Sequence, residues 1–153
     1  MRKRRRRKGI DDQRKKNKAL IRRYFSAYDK GNIDAVFRFV DPRHVYHPPG
    51  GGEHLDLPGR KEDEAVFFRA FSGIHTTIQD QIAEEDKVVS RVTMETNHTG
   101  KYQKIPPTGR RARITFIDIS PIRRGKIVEE WTEFDMMSIL QQLKTTNHKL
   151  KNR

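Results

Sequence analysis

The sequence has no cysteine, a single tryptophan and no long apolar run, and only 33% of its 153 residues are hydrophobic. Without cysteine there are no disulfides, no thiolate nucleophile and no Cys-ligated zinc or iron–sulfur cluster. The longest apolar runs span a few residues, too short to cross a membrane as a helix. The opening Met1-Arg2-Lys3-Arg4-Arg5-Arg6-Arg7-Lys8 carries the charge of a signal-peptide start, but Gly9-Ile10-Asp11-Asp12 follows where an apolar stretch would be needed. A soluble, cytoplasmic protein is the expectation. What the chain has in excess is basic charge, at its two ends. Residues 1–18 hold 11 Lys/Arg against 2 Asp, residues 144–153 add four more cations, and positions 19–143 balance at 18 of each sign. The reading is one neutral domain over 18–143, flanked by a basic, disordered tail at 1–17 and a second basic tail at 144–153.

Leu20, Ile21, Tyr24, Phe25, Ala27 and Tyr28 recur at helical spacing. Gly31 suits the C-terminal cap of that helix, and Asn32 the N-cap of a short second one carrying Val36, Phe37, Phe39 and Val40 and stopping near Asp41-Pro42. Positions 47–60, with His47-Pro48-Pro49-Gly50-Gly51-Gly52 and Pro58-Gly59, read as loop. A third helix over 61–72 presents Val66, Phe67, Ala70 and Phe71. The period then becomes alternating. Ile74, Ile78 and Ile82 share one strand face, and Val88, Ser90, Val92, Met94, Thr96 and His98 share another. A third strand runs around 112–122 and a hairpin at Arg124-Gly125-Lys126 leads into a fourth over 127–134. A terminal helical turn over 138–143 follows. Helices and then consecutive strands give an α+β fold with helices on one face of an antiparallel sheet.

Several residues are candidates for chemistry. Simple alternation puts Ile127, Glu129, Trp131, Glu133 and Asp135 on one side of the last strand. An acid beside an indole is desolvated, which raises its pKa toward the range where it can take and return a proton. On local pattern alone, a second reading of Asp135 as the cap of the terminal helix stands ahead, and parity does not separate Asp135 from Glu133. His98 ends a strand with an apolar face, placed either to hydrogen-bond a substrate carbonyl or to bond a loop carbonyl. His47 precedes a Gly-rich loop that could act as a lid. His44, His47, Glu53 and His54 match no metal-protease spacing, and the glycine triplet lacks the setting of a phosphate loop. The tails would bind polyanions without sequence selectivity, but residues 1–18 have no interleaved aromatics, so specific nucleic-acid recognition is not expected.

Together these residues resemble the SnoaL-like polyketide (ester) cyclase family of the nuclear-transport-factor-2-like superfold. The resemblance is carried by Ala19–Asn32, Val45-Tyr46-His47-Pro48, Gly59-x-Lys61, His98-Thr99-Gly100 and Ile105-Pro106-Pro107-Thr108-Gly109-Arg110. It continues through Gly125-Lys126-Ile127, Trp131-x-x-x-Asp135 and Leu140-Gln141-Gln142-Leu143. It implies a cone-shaped α+β barrel in which a curved antiparallel sheet and helices enclose an apolar pocket. It also implies intramolecular aldol closure of a polyketide ester without metal or cofactor, and assembly as a homodimer or homotetramer. By resemblance, Asp135 is the general acid/base, which reverses the local preference for a cap, and His98 is its pocket partner. His47, Trp131, Phe25, Tyr28, Phe39, Phe67 and Phe71 would then hold a small apolar or aromatic ligand. The competing readings are a non-catalytic ligand-binding domain of the same fold and an electrostatic adaptor acting through the tails.

Overall fold

A computed structural model describes residues 2–144, with side-chain surroundings from residue 7. The elements are α1 (Arg2–Tyr28), α2 (Ile33–Phe37), β1 (Val40–His47), α3 (Leu57–Ala70), β2 (Phe71–Glu84), β3 (Lys87–His98), β4 (Arg111–Arg123), β5 (Lys126–Phe134) and α4 (Met136–Lys144). The strands form one open, five-stranded sheet in the order β1-β5-β4-β3-β2. All neighbours are antiparallel except β1 and β5, which run parallel. Helices cover one face, so the α+β class expected from the element order is the one observed.

Helix α1 starts at Arg2, so the segment expected to be disordered is the helix's first half. Lys, Arg and Gln are good helix formers, and the packed second half supplies the costly nucleus from which the helix extends. Arg14 pairs with Asp11 one turn away at 3.9 Å, and Gln13 donates to Asn17 at 2.9 Å. From Leu20 on, the helix buries Ile21, Tyr24, Phe25 and Tyr28 against the sheet. Asn32 caps α2 as expected, its side chain accepting from the Asp34 N–H at 2.9 Å. Val40 does not extend that helix. It opens β1, which passes through Asp41-Pro42 with an irregular register against β5. Residues 145–153, including most of the basic C-terminal tail, lie outside the described residues.

Bulges in β5 and β2 decide which side chains face inward. Between the pairs Ile122–Ile127 and Ile119–Trp131, β5 advances four residues while β4 advances three. The extra residue inverts the alternation of β5, and Glu130, Thr132 and Phe134 turn to the helix-covered face. Likewise β2 advances two residues between Ile78 and Asp80 while β3 advances one. Ile78 is therefore half-buried and Ile82, expected on the same face, is 66% exposed. Strand β3 has no such defect within the inward set, and Val88, Ser90, Val92, Met94, Thr96 and His98 are all buried.

The end of β3 is pinned to the α3–β2 junction. The N–H groups of Thr99 and Gly100 both donate to the Ala70 carbonyl at 2.9 Å. A Cβ on Gly100 would stand 2.0 Å from the Arg69 carbonyl oxygen. Gly100→Ala must therefore push two backbones apart, and is expected to cost about 1–3 kcal/mol in a denaturant melt.

Candidate functional site

Asp56 caps α3, its side chain accepting from the Gly59 N–H at 2.9 Å, and Pro58 sits in the first turn. The helix thus begins before the glycine-proline stretch ends, and its inward stripe is Arg60, Glu64, Phe67 and Ala70, four or three residues apart. Val66, expected on that stripe, is 42% exposed. Between α1, α3, α4 and the sheet lies a cavity of about 320 Å³. Phe25 and Tyr28 of α1, Phe67 of α3, and Phe116 and Phe134 of the sheet form its aromatic walls. Arg60, Asp63, Glu64 and Glu130 add charge to an otherwise mainly apolar lining. That size and make-up suit one small molecule.

The charged groups form one network. Arg60 Nη1 donates to Glu64 Oε2 at 2.5 Å, Arg60 Nη2 lies 3.9 Å from Glu130 Oε1, and the guanidinium sits over the Tyr46 ring at 3.8 Å. The Tyr24 hydroxyl donates to Glu130 at 3.1 Å and lies 3.2 Å from the Tyr28 hydroxyl. His44 Nε2 stands 3.6 Å from Glu130 Oε2. Behind Glu130, Asp118 accepts from the Ser120 hydroxyl at 2.5 Å and the Thr132 hydroxyl at 3.3 Å. Arg60, Glu64, Asp118, Glu130 and His44 are all buried. Among the described residues, Arg60 Nε has no hydrogen-bond partner.

Burial and partners divide the carboxyls into different states. Burial works against the charge of Glu130, but the Arg60 cation, with His44 and Asp118 close by, outweighs it and holds the group at about 2. Asp118 is pushed well above the usual carboxylate range by burial and by the charge on Glu130. Of the two, Glu130 is the carboxyl that favours its charge and Asp118 the one that favours its proton. Glu64 is raised by burial, with Arg60 and the Tyr28 hydrogen bond opposing. The site holds a fixed anion, a neutral acid and a third carboxyl beside a permanent cation.

The residues proposed from sequence fall in three places. Phe25, Tyr28 and Phe67 line the cavity. Phe71 is buried behind Phe67, with ring centroids 4.8 Å apart, and Phe39 packs on Tyr24 at 6.4 Å; neither lines the cavity. His98 is buried at the sheet's end. Its Nδ1 lies 2.9 Å from Thr108 Oγ1 and accepts from the Thr108 N–H at 3.3 Å, a loop-anchoring arrangement. Burial lowers its pKa, and among the described residues its buried Nε2 has no hydrogen-bond partner. Asp135 is exposed and caps α4, accepting from the Ser138 N–H at 2.9 Å. Its neighbours Phe134 and Met136 line the cavity and Asp135 does not. His47 and Trp131 stack on the opposite face of the sheet from Glu130, Trp131 because of the β5 bulge and His47 because β1 turns His44 and Tyr46 inward. His44 is inward and His47 outward, so they do not converge on one centre.

Arg60, Glu64, Glu130 and Asp118 were not singled out from sequence, yet three of them leave a signal there. In β4, Ala112, Ile114, Phe116, Asp118, Ser120 and Ile122 alternate without a break, which places Asp118 on an apolar face. Arg60 and Glu64 fall in phase with Phe67 on α3.

A family model described as SnoaL-like polyketide cyclase matches residues 18–143. The structure of IdmH, a candidate polyketide cyclase from Streptomyces antibioticus, superposes with a TM-score of 0.74 at 27% identity, covering 84% of this chain and 99% of that one. A candidate polyketide cyclase from Acidithiobacillus ferrooxidans gives 0.71 at 25% identity, covering 84% and 94%. AclR, a candidate hydroxylase from Streptomyces galilaeus, gives 0.79 at 22% identity, covering 85% and 96%, and shows the fold alone. Comparison with curated proteins finds no match. No described helix is long and apolar enough to cross a membrane.

Proposed function

Because the chain belongs to the SnoaL-like polyketide cyclase family, we propose that its cavity folds a small, mainly apolar carbonyl compound and closes a ring on it by aldol-type addition. The observation that carries this reading is the buried Arg60–Glu64 pair among aromatic walls. In its ionised form, Glu64 removes the proton α to a carbonyl. The enolate carbon then attacks a second carbonyl, and the resulting alkoxide takes a proton back from the Glu64 carboxyl. No proton is gained or lost overall. Arg60 carries its charge throughout and stabilises the developing oxyanion electrostatically. Glu130, ionised and held by Tyr24, anchors the far side of Arg60. Positioning of the folded chain by the aromatic walls supplies the larger share of rate, up to about 7–11 kcal/mol in favourable intramolecular cases.

This reading gives to Glu64 the role that the resemblance assigns to Asp135. The two assignments separate in one experiment. With aromatic β-keto esters as substrates, Glu64→Gln should lower kcat by about 10²–10⁴-fold, while Asp135→Asn keeps most activity. The opposite pattern would restore Asp135. Ligand binding with no turnover in any form would favour a binding domain. A homodimer or homotetramer is the assembly we propose, supported by Ile82 and Ile117, exposed at 66% and 48% on the uncovered side of the sheet. Light scattering reads it directly.

A further inference from the structure

Two loops complete the cavity wall beside the helices and sheet: Tyr102 and Gln103 come from the β3–β4 loop, and a second loop follows β1. Pro48 and Pro49 line the cavity from this second loop. The loop is closed at its base by a pair of 2.8 Å hydrogen bonds between the Tyr46 and Leu55 main chains. Two consecutive prolines have fixed φ and hold the preceding residue extended, so His47-Pro48-Pro49 moves as a stiff unit. Its position is therefore set by its anchors, and the second anchor is on the outer side of the sheet. His47 Nε2 bonds Glu129 Oε1 at 2.8 Å, and its ring lies flat on Trp131, with centroids 4.5 Å apart and planes within 2°. The parallel β1–β5 register, which pairs His47 with Trp131, brings these groups together. The loop tip adds a longer contact, from the Gly50 N–H to Glu133 Oε2 at 3.5 Å, and the His54 ring stands 6.1 Å from that of His47.

We infer that His47 is a positioning residue, which fixes the Pro48-Pro49 wall of the cavity by being clamped between Glu129 and Trp131. His47 itself does not line the cavity. Losing the clamp frees a wall to which it is covalently joined, so the ligand should escape faster while the sheet stays intact. The inference rests on the cavity being the ligand site, as in the reading above, and on none of the chemistry proposed there.

The test compares wild type with His47→Ala, Glu129→Ala and His47→Gln by amide hydrogen exchange, and measures 2-naphthol binding by calorimetry. In both alanine variants, exchange over residues 50–55 should rise about fivefold or more, as expected for loss of a charge-assisted hydrogen bond. The 2-naphthol dissociation constant should rise by a similar factor. His47→Gln keeps a side-chain donor for Glu129 and should restore both, and exchange in β3 and β4 should not change in any variant. Wild-type exchange and affinity in His47→Ala would overturn the inference. So would faster exchange throughout the sheet, which marks general loosening. Failure of 2-naphthol to bind the wild type would overturn the link to the cavity, whereas loss of turnover with these results intact bears only on the proposed chemistry.

Discussion

Replacing Arg60 with methionine is expected to destabilise the fold by about 3–5 kcal/mol, the usual result of removing one partner from a buried ion pair. The guanidinium faces Glu64 at 2.5 Å and Glu130 at 3.9 Å, and all three side chains are buried. Methionine fills much of the space but leaves two carboxyls facing a low-dielectric interior without a cation. A loss of that size is a large part of the roughly 5–15 kcal/mol available to a single domain, so the melting transition should move far down. Adding Glu64→Leu to Arg60→Met should recover part of the loss, because an apolar replacement of both partners removes the uncompensated charge. Urea unfolding of the four forms of this cycle measures it. An Arg60→Met variant within about 1 kcal/mol of wild type would mean that the network is not closed in solution.

The second large effect is on the pH dependence of stability. Glu130 is held at about 2 in the fold against an ordinary 4.5, so its contribution is present above pH 4.5 and disappears as pH falls toward 2. The shift corresponds to something on the order of 3 kcal/mol. Asp118 acts in the opposite sense. Its pKa is raised in the fold, so the native state holds a proton that the unfolded chain releases above its ordinary 3.8, and stability falls as pH rises through the range between the two values. The raised Glu64 adds to that second trend. Maximum stability is therefore expected on the acidic side of neutrality, near pH 4–5, with loss in both directions. Asp118→Asn keeps the shape without needing the proton, and should stabilise the protein at pH 8 while doing little near pH 4. Unfolding free energies measured from pH 3 to 8 check both arms, and a profile rising steadily from pH 4 to 8 would contradict the raised Asp118 and Glu64.

Much of this architecture is legible in the residues, and the failures have identifiable causes. Alternation reads β3 correctly because nothing interrupts its inward set from Val88 to His98. The same rule inverts β5 and the end of β2, because a single extra residue exchanges the two faces of a strand. The inversion of β5 places Trp131 outside the cavity and Glu130 inside it. Strand β1 was hidden by Asp41-Pro42, whose helix-stopping chemistry is equally compatible with an irregular strand beside a parallel partner. The Arg60–Glu64 pair was missed for a different reason. Charges four apart on a helix ordinarily mark its solvent face, and only their phase with Phe67 shows that these point inward. Asp118 was open to view, since unbroken β4 parity places it between Phe116 and Ser120 on a buried face.

The most direct measurement is deuterium exchange into the methyl group of acetophenone, followed by NMR in heavy water with wild-type protein, Glu64→Gln and Asp135→Asn. Acetophenone is small enough for a cavity of about 320 Å³, and exchange reports proton removal from carbon without requiring the natural substrate. The account predicts exchange faster than the buffer rate with wild type and with Asp135→Asn, and exchange at the buffer rate with Glu64→Gln. Full exchange in Glu64→Gln together with loss in Asp135→Asn would contradict it.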